Sequence, residues 1–177
     1  MNVKSILLVE DDPRDVELTL AALEDQNLAD KVEVVHNGAE ALDYLYRQGK
    51  FKTRPEGSPV VIFLDNKMPK VSGLEVLKSI KSDEHLRMVP VVVLTSSRET
   101  PDLVEFYQQG VNAYVVKPVD FGDFMSAVQQ LGVFWADVNE APFASWRDEI
   151  KGGNGTNVLC GKKELNDEIP PHSVSGG

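Results

Sequence analysis

The sequence predicts an α/β protein built on a doubly wound, five-stranded parallel sheet. Two observations carry that expectation. Short apolar runs alternate with amphipathic helical stripes from Val3 to Trp135, and each parallel crossover needs a helix of its own. The runs Ile6-Leu7-Leu8-Val9 and Pro59-Val60-Val61-Ile62-Phe63-Leu64 also lack polar alternation, as strands buried on both faces do.

Residues 3–9 form the first predicted strand. Pro13 suits the first turn of a helix with Asp12 as N-cap, and Val16, Leu20 and Leu23 then lie on one stripe. Val32 to Val35 is the second strand, and Leu42, Leu45 and Tyr46 mark a helix ending near Gly49. A polar loop from Lys50 to Ser58 leads into the third strand, 59–64. Ser72 and Glu75 have capping-box spacing ahead of Leu74, Leu77 and Ile80. Val89 to Leu94 is the fourth strand, and Thr100-Pro101 opens a helix carrying Leu103, Phe106 and Tyr107. Tyr114 to Val116 is the fifth strand. Asp120 caps the last helix, with Phe124, Val128, Leu131 and Trp135 on its apolar side.

Composition narrows the function classes. A hydrophobic fraction of 42% and a charged fraction of 26% describe an ordinary globular protein. The net charge of −10 argues against a nucleic-acid-binding output, which needs a basic face for phosphates. Cys160 is the single cysteine, so no intrachain disulfide or thiolate metal cluster is expected, and His36, His85 and His172 have no ligand spacing. The N-terminal apolar run is too short for a signal peptide or a membrane span, and a cytoplasmic chain is expected.

The chemistry gathers where strands end. Glu10 and Asp11 follow the first strand, Asp65 the third, Thr95 the fourth and Lys117 the fifth. In open α/β sheets those ends face the binding crevice. Two like charges about 4 Å apart cost about 4 kcal/mol at an effective dielectric near 20, so converging acids call for a cation. Oxygen ligands suit Mg²⁺. Lys117 adds a positive point charge for phosphate and Thr95 a hydroxyl donor, the parts that phosphoryl transfer to a carboxylate requires.

With those residues in place, the chain resembles the receiver domain of the two-component response regulators. The matching segments are Val9-Glu10-Asp11-Asp12, Leu64-Asp65-Asn66-Lys67-Met68-Pro69, Gly73, Val93-Leu94-Thr95-Ser96 and Tyr114-Val115-Val116-Lys117-Pro118. The resemblance covers residues 3 to about 132 and implies the flavodoxin-like receiver fold. It further implies that Asp65 accepts a phosphoryl group from a phosphohistidine on a sensor histidine kinase. Mg²⁺ would be held by Asp11, Asp65 and the Lys67 carbonyl, with Glu10 acting through water. Lys117 would pair with Asp65 or its phosphoryl group, and Thr95 with Tyr114 would form a switch pair. Asn66 and Lys67 are unusual neighbours for the acceptor, and Ser72 stands where many relatives have Asp; their expected effect is on phosphoryl lifetime.

The sequence reads as a receiver domain over residues 1–138 and a C-terminal extension over 139–177, without a DNA-binding or enzymatic output. Residues 151–177 hold six glycines and no sustained period, the composition of a flexible tail. Phe134, Trp135, Phe143 and Trp146 cluster around the junction. The segment from Gly132 to Pro142, with the long 50–58 loop, is similar to single-domain regulators that partner phytochrome-type histidine kinases. That resemblance implies a homodimer built from the last helix and the extension. An aspartyl-phosphate phosphatase is the rival from another class; it normally needs a second Asp two residues after the nucleophile, where Lys67 stands. A pseudo-receiver serving only for docking is disfavoured by the complete set of acids with Lys117.

Overall fold

Five parallel strands in the order β2-β1-β3-β4-β5 organise the chain. A computed structural model describes residues 5–140. The strands are β1 (Ile6–Val9), β2 (Val32–Val35), β3 (Val61–Leu64), β4 (Val91–Thr95) and β5 (Ala113–Val116). The helices are α1 (Pro13–Glu24), α2 (Gly38–Leu45), α3 (Gly73–Ser82), α4 (Thr100–Gln108) and α5 (Phe121–Val133). The predicted sheet and all five helices are therefore present. The first, third and fourth strands begin later than the apolar runs suggested, because Ser5, Val60 and Pro90 bond to neighbouring strands only through single flanking contacts. The second helix stops at Leu45, short of Gly49.

Side-chain alternation along the strands splits the core in two. Leu7, Val9, Ile62, Leu64, Val91 and Val93 face α2, α3 and α4, where Leu45, Leu77, Ile80 and Phe106 meet them. Ile6, Leu8, Val61, Phe63, Val92 and Leu94 face α1 and α5 and pack on Leu23, Phe124 and Val128. Phe63 is fully buried, and burial of such a side chain is worth about 1.5–3 kcal/mol.

Local chemistry sets the helix starts. Asp12 accepts the Arg14 N–H at 2.8 Å with Pro13 in the first turn. Asn37 accepts the Glu40 N–H at 3.0 Å. Ser72 Oγ accepts the Glu75 N–H at 3.3 Å while Glu75 Oε2 accepts the Ser72 N–H at 2.9 Å, the reciprocal box expected from the sequence. Asp120 accepts the Asp123 N–H at 3.0 Å.

Two connections are held by single cations. In the 50–58 loop, Arg54 donates to the carbonyls of Tyr44 (2.7 Å) and Gly57 (3.0 Å), with its guanidinium 4.2 Å from the Tyr44 ring centroid. Beyond α3, Lys81 Nζ donates to the carbonyls of Arg87 (3.2 Å) and Val89 (3.0 Å) and to Asn112 Oδ1 (3.1 Å).

After Val133 the chain continues as a wider π-helical turn, Phe134–Val138, closed by the Asn139 N–H donating to the Phe134 carbonyl at 2.7 Å. Ala136 is buried with the α1–α5 core, and Trp135 packs against it, while Phe134 and Val138 are 47% and 64% exposed. Gly132 is needed for this approach: a Cβ there would collide with Leu23 Cδ2 and stand 3.2 Å from Leu28 Cδ1. Phe143 and Trp146 lie outside the described residues.

Candidate functional site

The strand order reverses between β1 and β3, so the chain leaves their C-terminal ends toward opposite halves of the sheet and opens a crevice there. Backbone bonds just past the ladder place the site residues. Val9 pairs with Leu64, and the Asp65 N–H donates to the Val9 carbonyl at 2.9 Å. The Glu10 N–H donates to the Val35 carbonyl at 3.0 Å, and the Lys117 N–H to the Thr95 carbonyl at 2.8 Å. The register therefore sets Glu10, Asp65, Thr95 and Lys117 along one rim.

Among the described residues, Glu10, Asp11 and Asp65 form a group whose carboxylate oxygens lie within 4.8 Å of one another. Glu10 and Asp65 are buried and Asp11 is exposed, so the group is open on one side. All its donors are hard oxygens, a set that fits a divalent cation such as Mg²⁺ or Mn²⁺. Asp65 is fixed through both oxygens: Oδ2 accepts the Lys67 N–H at 2.8 Å, and Oδ1 lies 3.2 Å from Lys117 Nζ. Lys67 thus joins the site through its backbone, with its side chain exposed. Gly73 closes the floor, since a Cβ there would collide with the Asp65 carbonyl oxygen.

Lys117 is not held mainly by Asp65. Its ammonium is 2.6 Å from Glu10 Oε2 and 2.6 Å from Asp15 Oδ2. Burial disfavours the charged lysine, but the bonds to Asp15 and Glu10 outweigh that and hold its pKa above the ordinary range. Burial raises Glu10 to about 7, against the opposing pull of Lys117.

Thr95 is fully buried. Its Oγ1 accepts the Ser97 N–H at 3.1 Å, leaving its own hydroxyl hydrogen free to donate elsewhere. Tyr114 stacks edge-on against Phe106, with ring centroids 5.6 Å apart, and its OH donates to the Ser97 carbonyl at 3.4 Å. Burial, then the nearby Asp102 carboxylate, raises the Tyr114 pKa. Thr95 and Tyr114 therefore meet through Ser97.

The sequence reading missed Asp15, Ser97 and Asp102. Asp15 was legible in principle, since the Asp12 cap and Pro13 place it in the first turn of α1, directly after the strand end that carries Glu10 and Asp11. Ser97 and Asp102 depend on the path of the β4–α4 connection, which no periodicity encodes. The fourth helix also differs from its expected stripe: Phe106 is buried, whereas Leu103 and Tyr107 are 36% and 54% exposed.

The chain belongs to the response regulator receiver domain family, whose description matches residues 6–129. Receiver domains are signalling modules, and the similar proteins sharpen which branch this one resembles. It is 35% identical over 141 residues to the response regulator Rcp1 of Synechocystis, an alignment covering 80% of this chain and 95% of that protein. It is 58% identical to the bacteriophytochrome response regulator AtBRR, whose structure aligns with a TM-score of 0.64 over 79% of this chain and 100% of that one. The phosphorylated cyanobacterial phytochrome response regulator RcpA aligns with a TM-score of 0.74 at 35% identity, over 78% of this chain and 98% of that one. Rcp1 has also been solved in an Mn²⁺-bound form, which aligns with a TM-score of 0.73 at 34% identity, over 78% of this chain and 99% of that one. No helix among the described residues is long and apolar enough to cross a membrane.

Proposed function

We propose that this protein is a phosphorylation-switched regulator in which Asp65 accepts a phosphoryl group from a sensor histidine kinase, of phytochrome type by its relatives. The observation that carries the reading is the setting of Asp65. It is a buried carboxylate oriented by the Lys67 N–H, with Lys117 on one side and two further acids beside it. A carboxylate oxygen of Asp65 attacks phosphorus, the phosphorus–nitrogen bond to the donor histidine breaks, and the histidine takes one proton from water to leave as neutral imidazole. Lys117 contacts the incoming phosphoryl oxygens as a point charge. Thr95, with its hydroxyl hydrogen uncommitted to Ser97, donates to a phosphoryl oxygen, and Tyr114 follows through the shared Ser97.

Glu10, Asp11, Asp65 and the Lys67 carbonyl would hold Mg²⁺, which when bound supplies the charge neutralisation that lets carboxylates and phosphoryl oxygens crowd one rim. The protein acts in this reading as a cytoplasmic signalling component, not an enzyme with its own substrate. Residues 1–138 make up the switch and 139–177 an extension.

Incubation with Mg²⁺ and acetyl phosphate, followed by intact-mass measurement, tests the assignment. The native chain gains one phosphoryl group and Asp65→Asn gains none; equal gain by both defeats it.

The exposed Phe134 and Val138, at the point where the described chain ends, support a homodimer through Phe134, Trp135 and the extension carrying Phe143 and Trp146. Because Ala136 is buried, shortening the chain before it would damage the core itself. Sedimentation of Phe134→Ser with Val138→Ser is the cleaner test. The pair is expected to sediment as a monomer; an unchanged dimer, or a native chain that is already monomeric, removes the proposal.

A further inference from the structure

Lys117 has an anchor outside the acidic group. Of its three carboxylate partners, Glu10 and Asp65 belong to the cluster suited to a cation, whereas Asp15 does not. Asp15 comes from the first turn of α1, a segment fixed by Pro13, by the Asp12 cap on Arg14, and by the Val16 N–H bonded to the Asp12 carbonyl at 3.1 Å. Its Oδ2 stands 2.6 Å from Lys117 Nζ, slightly shorter than the roughly 2.7–2.9 Å usual for a charge-assisted N–H···O bond. The Asp65 oxygen is 3.2 Å from the same nitrogen.

We infer that Asp15 is a positioning residue for Lys117: it takes one ammonium N–H at the margin of the site and so holds the ammonium where its other hydrogens face Glu10 and Asp65. The inference rests on the reading of Asp65 as phosphoacceptor. The physical reason is the lysine itself. Four methylenes and a freely turning ammonium give it no built-in direction. Without Asp15, the ammonium settles on Glu10 and Asp65, where it competes with a divalent cation for the same oxygens. With Asp15, it keeps a partner that a cation at the acidic group does not need. An acid in the first turn of a helix also stabilises that helix through the dipole. A residue acting only in that way would affect folding without regard to Lys117.

Titration with Mg²⁺ alone, read by calorimetry or NMR, separates the two roles. Asp15→Ala is expected to weaken Mg²⁺ binding and to slow phosphorylation by acetyl phosphate, each about fivefold, within the usual range for coupled contacting groups. Asp15→Asn, which keeps an acceptor oxygen, recovers most of both. In the Lys117→Met background, Asp15→Ala causes neither loss. Equal losses with and without Lys117, or no loss in Asp15→Ala, overturn the inference. A second measurement avoids the double variant: the Lys117 ammonium, observed by ¹⁵N NMR, exchanges its hydrogens faster in Asp15→Ala, and an unchanged rate also overturns it. If the native chain takes no phosphoryl group, the phosphoacceptor reading fails. The Mg²⁺ and exchange arms still decide the role of Asp15.

Discussion

Asn66, the residue after the phosphoacceptor, donates its side-chain amide to Asp102 Oδ2 at 3.3 Å and so ties the loop after β3 to the first turn of α4. The same oxygen accepts the Ser97 hydroxyl at 2.9 Å. One carboxylate therefore joins three segments that border the site. The helix it anchors buries one residue, Phe106. Asp102→Ala is expected to speed amide exchange across residues 96–103 while β1 and β3 stay protected, at a stability cost of about 1–2 kcal/mol for the two lost bonds. Exchange that is uniform with the native protein would show the link to be idle.

Burial of Glu10 makes the metal-free protein sensitive to neutral pH. Its carboxyl lies near 7 in the folded chain and at 4.5 when free. The folded state thus binds the proton more tightly than the unfolded state. The associated stability is complete below about 4.5 and is lost as pH rises through about 7. Thermal melts in chelator should fall in midpoint between about pH 5 and 7, and Glu10→Gln should flatten that slope. An equal slope in the variant would assign the effect elsewhere.

Gly73 offers a test of backbone placement. A Cβ at this position meets the Asp65 carbonyl oxygen and lies 2.9 Å from Asn66 Cα, both backbone groups with no flexible end to yield. Gly73→Ala should cost about 1–3 kcal/mol by overpacking. Phosphorylation by acetyl phosphate should slow with it, because the displaced segment carries the nucleophile. A native rate in the folded variant would show that Asp65 tolerates such a shift.

Removing the acceptor charge should stabilise the protein when no cation is present. Asp65 adds to the forces that disfavour the charged form of Glu10. Asp65→Asn is therefore expected to raise the metal-free melting temperature by a few degrees, roughly 1 kcal/mol. It should also abolish most of the rise that Mg²⁺ gives the native chain. Melts with and without Mg²⁺ check both, and a native-sized Mg²⁺ response in the variant would place the cation elsewhere.

The parts of this fold that were legible in the sequence are those written in periodicity and capping. Buried strands such as 61–64 announce themselves by continuous apolar residues, and Ser72 with Glu75 by their spacing. The strand-end rule then brought Glu10, Asp65, Thr95 and Lys117 together before any coordinates. Hydrogen-bond choice among neighbours was not legible. That Lys117 lies closer to Glu10 and Asp15 than to Asp65 depends on tenths of an ångström and on how α1 departs from β1. The Asn66–Asp102–Ser97 junction joins residues 36 positions apart in one bond and 5 in the other. Only the folded loops bring them to one oxygen.

Lys81 shows how such a bond can free a stretch of sequence. By donating to the carbonyls of Arg87 and Val89 and to the side-chain oxygen of Asn112, it fastens the return from α3 to β4. Glu84, His85, Arg87 and Met88 point to solvent. Substitutions at those four positions should be absorbed with little effect. Replacement of Lys81 by methionine would strand the carbonyls it serves and loosen the whole turn. Mutational tolerance in this stretch is governed by a residue that lies outside it.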